Sequence, residues 1–193
     1  MNHLFFDFET RSRLPISRGT EVYARSAEPT VLGWAFDDGP VHTWEIGMRR
    51  PERFVNLCYD PQTVLVAHYI PFDAAILKYC WGIEVETERL HCTQAQAYSH
   101  SLPGSLGALA PALGLPVDHQ KDMEGHKLMM FFCQPQRNGE FPDRTSHPAE
   151  WAKFLDYARQ DVVALREVFR ALPTHNYTGK HKEIWNLDYR INT

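Results

Sequence analysis

Five short runs of apolar and β-branched residues have the length and composition of β-strands: residues 3–8, 30–36, 41–45, 63–67 and 89–93. The second and third runs flank the sequence DDGP at 37–40, a turn signal that predicts a β-hairpin. The run at 63–67 is apolar almost throughout, which is typical of a strand buried on both faces. The stretch of arginine, serine, proline and glycine that follows the first strand, up to about residue 29, predicts a loop.

Other segments carry a helical period or helix start and stop signals: residues 51–59, 72–81, 105–113, 123–133 and 148–172. The last is the most regular, because apolar residues recur at steps of three and four from Trp151 to Leu172, between Pro148 and Pro173. Two prolines and a glycine at 134–146 predict a surface loop. Residues near the C-terminus are interpreted either as a detached terminal helix or as the start of a longer segment.

The order of these elements indicates the fold class. Strands with a hairpin come first, then a strand–helix–strand unit, then helices, which indicates an α/β protein with a mixed sheet covered by helices. A length of 193 residues suffices for one domain with its own core. We expect that domain to span residues 1–173, with 174–193 as a C-terminal extension.

The composition is that of an ordinary globular protein, with 44% hydrophobic and 23% charged residues, which excludes global disorder. The longest apolar run, at 128–133, has six residues and is far too short to span a bilayer. Asp7 and Glu9 stand where a signal peptide would need apolar residues. We therefore expect a cytoplasmic protein with no membrane partner.

The net charge and the absence of common metal-binding motifs limit which residues can form a functional site. Lysine and arginine total 20 against 24 aspartate and glutamate, a formal charge of −4. This balance argues against binding nucleic acid by bulk attraction alone, but a site loaded with divalent cations would reverse the local sign. The four cysteines form no C-x-x-C pair and the ten histidines form no H-E-x-x-H pattern, so the acidic residues are the candidates for chemistry.

Two acidic residues occupy the first predicted strand. Asp7 and Glu9 flank Phe8, so with a period of two both carboxylates project from one face. They repel each other and lose solvation unless a divalent cation lies between them. The alternative is a strand with one solvent-facing side.

Two further acidic residues occur where helices meet the predicted sheet. Asp73 opens the helix after the strand at 63–67, at the edge where open α/β sheets bind ligands. The alternative is an acid favoured by the helix dipole. Asp161 lies four residues after Tyr157 on the same helix face, and the alternative there is a local Tyr–Asp hydrogen bond.

These residues form three motifs in a fixed order: DFET at 7–10, AHYIPFD at 67–73, and Tyr157 with Asp161. In these motifs the chain resembles the DEDD (DnaQ-like) superfamily of 3′–5′ exonucleases. Asp156 stands where the histidine subclass carries its histidine, so the resemblance is to the tyrosine subclass. Four stretches are similar to the proofreading domain of phage-type family A DNA polymerases: residues 5–12, 102–115, 122–129 and 147–151.

The resemblance implies an RNase H-like sheet of five strands and a two-metal hydrolase. Asp7, Glu9, Asp73 and Asp161 would hold two Mg²⁺ or Mn²⁺ ions, for which carboxylate oxygens are suitable ligands. Tyr157 would orient the attacking water. The expected activity releases nucleoside 5′-monophosphates from single-stranded, frayed or mismatched DNA 3′ ends, with a DNA polymerase subunit or domain as a partner.

Contacts to the substrate strand are expected from residues in or beside these motifs. Thr10 and Arg11 follow the first pair of acids, and His68 and Tyr69 lie in the second motif. Tyr69 stands where this family usually carries asparagine, and its ring suits stacking on a base. Lys127 belongs to one of the polymerase-like stretches, with a solvated helix face as the alternative interpretation.

Two other functions stay open at the level of the sequence. An RNA exonuclease of the same superfamily would carry the same motifs, because they do not distinguish the sugar. A non-catalytic module that binds nucleic acid or a polymerase would keep the fold, although the presence of all four acids and Tyr157 argues against it.

Overall fold

The computed structural model of the protein describes residues 1–115 and 123–193. Its strands are β1 (Asn2–Arg11), β2 (Glu28–Phe36), β3 (His42–Glu45), β4 (Thr63–Ala67) and β5 (Leu90–Cys92). They form one sheet in the order β3-β2-β1-β4-β5. Residue 122, the first of the polymerase-like stretch at 122–129, lies outside the described residues.

The central strand β1 pairs differently along its two edges. It runs antiparallel to β2, which forms the predicted hairpin with β3, and parallel to β4, which is itself parallel to β5. The predicted mixed five-stranded α/β sheet is therefore confirmed. Pairing with β4 ends at Phe5, opposite Val66, whereas β1 continues to Arg11. Beyond Phe5 one edge of β1 is thus open to other elements.

The helices are α1 (Thr20–Ala24), α2 (Glu52–Tyr59), α3 (Ile70–Ile76, continued by a π-helical turn at Leu77–Trp81), α4 (Thr93–Ser99), α5 (Leu106–Ala112), α6 (Met123–Cys133), α7 (Pro148–Ala171) and α8 (Lys180–Asn192). The region up to residue 29, predicted to be a loop, instead contains a 3₁₀ turn at Ile16–Arg18 and α1, and α4 follows β5 directly. Both helices are short and are stabilised by tertiary contacts that a local pattern does not reveal.

The two faces of β1 are buried in different clusters. Phe6 and Phe8 point into a core with Phe54 of α2 and Trp81 after α3. Phe5 points to the opposite face, where α7 covers the sheet. Because side chains alternate along a strand, Asp7 and Glu9 lie on the α7 face. The alternation predicted from the sequence is therefore confirmed by the two clusters.

A glycine permits α7 to lie close to the sheet. Gly33 of β2 stands opposite Asp7 in the register. A Cβ atom at Gly33 would lie 2.7 Å from the Ala158 carbonyl oxygen and 2.8 Å from Val162, both on α7. Such distances are shorter than real Cβ contacts, so this approach requires glycine. Asp161 thus lies between the two residues of α7 that approach Gly33 most closely.

The C-terminal helix α8 packs on the domain. Trp185 and Tyr189 lie against the core cluster on the α2–α3 side of the sheet. The Lys182 Nζ donates a hydrogen bond to the Leu90 carbonyl of β5 and lies 4.2 Å from the centre of the Trp185 ring. The helix predicted near the C-terminus is present and is not detached. Within the described ranges, no helix combines the length and apolar character needed to cross a membrane.

Candidate active site

Three carboxylates from two elements meet on the α7 side of the sheet. Asp7 and Glu9 project from β1, and Asp161 reaches them from α7. One carboxylate oxygen from each residue lies within 4.8 Å of those of the other two. Glu9 and Asp161 are only 8% and 5% exposed. All three residues were predicted from the sequence to be metal ligands, and the structure brings them together.

Asp73 of α3 approaches these carboxylates along the edge of β1 that pairs with β4. It is 3% exposed in the first turn of α3, and its Oδ1 accepts the backbone N–H of Phe8 at 3.0 Å. Pairing with β4 has already ended at Phe5, so Asp73 satisfies a backbone donor that β4 does not reach. Asp73 lies outside the group of three carboxylates within 4.8 Å of one another, but it lines the same cleft.

The environment of Asp73 opposes its negative charge. Burial raises its pKa well above the usual range, and the nearby carboxylates of Asp7 and Glu9 raise it further, against the lowering effect of the Phe8 N–H. A divalent cation bound among these acids would compensate the repulsion and the lost solvation. The ligand set is entirely carboxylate, which suits hard ions such as Mg²⁺ and Mn²⁺.

Tyr157 lies on the same helix as Asp161, and a glycine leaves room for its ring. It lies on α7 one turn before Asp161 and is 5% exposed. Gly125, a buried residue of α6, contacts its ring so closely that a Cβ atom there would overlap the ring carbons. Sequence analysis missed Gly125, because a glycine inside a predicted helix gives no signal of a contact with a distant helix.

A cleft of about 480 Å³ opens over the acids. Its walls come from β1, the start of α3, α4, the loop before α5, and α6. The four predicted metal ligands line it, whereas Tyr157 is not among its described lining residues. The lining residues not predicted from the sequence are Phe8, Phe72, Gln94, Tyr98, Gly104, Ser105, Leu106 and Met129. Gln94 and Tyr98 were missed because they lie on α4, a short helix that the pattern did not predict.

Two of the residues expected to contact substrate line this cleft, and three do not. His68 Nε2 donates to the Gly104 carbonyl at 2.7 Å, and Tyr69 is about half exposed at the mouth. Thr10, expected to reach a nucleotide through its backbone, has its hydroxyl hydrogen-bonded to Tyr23. The remaining two also lie elsewhere: Arg11 is paired with Glu28 at 2.8 Å, and Lys127 is exposed on α6.

Comparison with known proteins identifies the family. A family model described as RNase_H superfamily matches residues 4–172. The chain therefore belongs to the RNase H superfamily. Among curated proteins it is similar to a DNA polymerase of Bacillus phage SP02, with 27% identity over 205 aligned residues. That match covers all of this chain and 31% of the polymerase, so the chain spans about a third of its relative's length.

Solved structures with a similar fold come from Brucella melitensis NrnC. The NrnC structure superposes with a TM-score of 0.64 and 17% identity over 98% of this chain and 80% of NrnC. The structure of NrnC with bound Mg²⁺ and that of NrnC bound to pGG give the same TM-score at 16% and 15% identity, with the same coverage. At this identity the likeness establishes the shared fold, and the RNase H-like architecture expected from the sequence is confirmed.

Proposed function

We propose that the chain is a metal-dependent 3′–5′ exonuclease of the tyrosine subclass that shortens single-stranded, frayed or mismatched DNA ends. The observation that carries this proposal is the convergence of Asp7, Glu9 and Asp161 within 4.8 Å, beside buried Asp73. Membership of the RNase H superfamily supports a nuclease, and the polymerase relative supports DNA as substrate and proofreading as the role. The NrnC structures with Mg²⁺ and with pGG support a divalent cation and a nucleotide ligand.

The roles of the residues follow from their positions. Divalent ions bound here would supply charge neutralisation at the phosphate and an activated water. Asp7, Glu9, Asp73 and Asp161 would hold them, with Asp7 the best candidate for a shared ligand. Tyr157 is a poor base, because an unperturbed phenol has a pKa near 10. Its hydroxyl would instead orient the attacking water toward the terminal phosphodiester.

The test compares substrates and metals with a matched pair of variants. End-labelled single-stranded DNA, paired duplex, mismatched duplex and RNA are incubated with Mg²⁺, with Mn²⁺ or with EDTA. We expect a ladder of shortened DNA only with metal, and label at the 5′ end distinguishes 3′–5′ shortening from the opposite direction. Asp161→Asn should abolish the ladder. Asp156→Asn changes an exposed acid of the same helix, paired with Arg159, and should preserve it.

Three outcomes would contradict parts of this proposal. Faster shortening of RNA than of DNA would assign the RNA exonuclease alternative. Wild-type activity in Asp161→Asn would remove Asp161 from the metal ligands. Binding of single strands without shortening under any condition would make the chain a non-catalytic binding module.

A further inference from the structure

A second pocket lies beside the cleft and shares a wall with it. It has a volume of about 490 Å³ and lies between α1, α3, α4 and the C-terminal helix α8. Tyr69, Gln94 and Tyr98 line both this pocket and the acidic cleft. The shared wall thus puts the pocket within reach of a nucleotide adjacent to one whose phosphodiester lies at the acids. The family match ends at residue 172, so the α8 side of the pocket lies outside the matched part of the chain.

The lining suits a flat ring. Tyr98 is 60% exposed, and Tyr69 is about half exposed on the same wall. Trp185 and Tyr189 of α8 form the facing side, with their rings stacked on each other at 5.6 Å between centres. Gly104 makes room for Tyr98, because a Cβ atom at Gly104 would overlap the Tyr98 ring. Aromatic side chains of this kind stack on nucleobases without requiring a particular sequence.

The charge of the lining suits a base and not a phosphate. Among the described residues that line the pocket there is no lysine, arginine or histidine, whereas two are acidic, Glu21 and Asp188. Glu21 is paired with Arg25 at 3.5 Å, so Asp188 is the main acidic acceptor. The side chains of Gln94 and Asn192 add amide groups. Carboxylates repel a phosphate, but they accept hydrogen bonds from the exocyclic amino groups of adenine, cytosine and guanine.

We infer that this pocket binds the base of the penultimate nucleotide of the substrate strand, with a preference for bases that carry an exocyclic amino group. The inference rests on the proposed function, and it names a specificity site for the same reaction. The terminal nucleotide would lie in the acidic cleft, and the wall formed by Tyr69 and Tyr98 would separate it from the penultimate base.

Two variants test the pocket without changing the cleft. Asp188→Ala removes an exposed acceptor on α8, and Val22→Trp fills the pocket from α1, where Val22 is 47% exposed. Ile184→Trp is the matched control, because it introduces the same bulky side chain at an exposed position of α8 outside the pocket lining. None of the three positions is needed to hold the core.

The substrates share a terminal thymidine and differ in what precedes it. They are the dinucleotides 5′-AT-3′ and 5′-TT-3′ and the p-nitrophenyl ester of thymidine 5′-monophosphate, which has no penultimate base. We expect the wild type to have a lower KM for AT than for TT. Asp188→Ala should raise the KM for AT by about tenfold and remove the preference. Val22→Trp should raise both KM values, and neither variant should change hydrolysis of the ester.

The possible results separate failure of the inference from failure of the proposed function. Unchanged KM values for both dinucleotides in Val22→Trp, or an equal loss on the ester, would overturn the penultimate-base pocket while leaving the exonuclease proposal intact. If the wild type hydrolyses no substrate, the proposed function fails. Calorimetric titration of AT into Asp161→Asn with Mg²⁺ then decides the pocket by itself: binding weakened by Val22→Trp supports it, and absent or unaffected binding overturns it.

Discussion

Asp73 is the residue whose chemistry depends most on its surroundings. Its carboxyl group is buried beside Asp7 and Glu9, which favours the neutral form, yet it also accepts the Phe8 N–H. Asparagine can accept the same hydrogen bond without a charge, whereas alanine leaves a buried backbone donor unsatisfied. Substitution at this one position can therefore separate the role of the charge from the role of the hydrogen bond.

For Asp73→Asn we expect a free energy of unfolding in EDTA within about 1 kcal/mol of the wild type, because the buried acid is already disposed to be neutral. Added Mg²⁺ should stabilise the wild type, by about 2.7 kcal/mol at one hundred times its dissociation constant, but not the variant. Asp73→Ala should lose about 1–3 kcal/mol with or without metal. Denaturant titrations in EDTA and in Mg²⁺ measure these values. Equal stabilisation of Asp73→Asn by Mg²⁺ would exclude the carboxylate as a ligand.

Tyr157 and Gly125 test whether the position of the phenol matters. Tyr157→Phe should lower kcat by roughly 10–100-fold, since it removes an orienting group but no metal ligand. Gly125→Ala should lower kcat at least as much with little change in KM, because a methyl group displaces the ring. The two effects act on one hydroxyl, so the double variant should be no slower than the slower single variant. Met130→Ala, which changes a partly exposed residue of α6, is the control and should leave kcat unchanged. If the losses in kcat were additive in the double variant, Gly125 would have a purely structural role.

The long helix α7 contacts the sheet and its hairpin at several points along its length. Near its N-terminus the indole N–H of Trp151 donates to Glu45 at 2.6 Å, and Arg166 donates to the Gly39 carbonyl of the hairpin at 2.7 Å. Between them lies the close approach at Gly33. This approach sets the distance between Asp161 on the helix and Asp7 on the strand, so the packing of two elements determines the geometry of the acids.

Gly33→Ala should therefore affect both stability and activity. The added methyl group overlaps the backbone of α7, and overpacking of this kind costs about 1–3 kcal/mol. Because α7 must move away from β1, we expect loss of most metal-dependent hydrolysis even at temperatures where the variant is folded. Thr43→Ala, at the exposed position opposite Gly33 on β3, should change neither. A Gly33→Ala variant with reduced stability and full activity would show that the position of α7 does not limit catalysis.

The sequence predicts those features of the domain that depend on local patterns, and it misses those that depend on contacts between distant elements. The strands and α7 were predicted because their patterns are local, and the five residues of the three motifs were found because their chemistry is unusual for a core. The helices α1 and α4 were missed, since burial of Gln96 and Ala97 against distant residues stabilises α4. Gly33 and Gly125 gave no signal, because each is explained only by a partner on a remote element. The ion pair of Arg11 with Glu28 gave no signal either, because Glu28 lies on another strand.

His91 joins the edge of the sheet to α7 and to the segment before α8. The His91 ring of β5 lies 5.0 Å from Phe169 of α7 and 5.2 Å from Tyr177 before α8, and Nε2 is 2.6 Å from Gln96 Oε1. Burial lowers the pKa of His91 to about 4, and the Lys182 ammonium and His3 lower it as well, whereas Gln96 opposes the shift. A proton on His91 would thus introduce a second charge beside Lys182.

The sign of the pH effect follows from this shift. Between the ordinary histidine pKa near 6.5 and about 4, the unfolded chain binds a proton that the folded domain does not, so stability falls as the pH is lowered through this window. From pH 7 to pH 5 the contribution of His91 should be a loss of about 1–2 kcal/mol. Urea titrations at the two pH values measure the loss of unfolding free energy between pH 7 and pH 5. In His91→Phe this loss should be smaller than in the wild type by about 1–2 kcal/mol. The exposed His181→Gln on α8 should retain the wild-type difference. Identical pH dependence in His91→Phe and the wild type would mean that acid weakens the domain elsewhere, and that the contact between β5, α7 and α8 tolerates a charged imidazole.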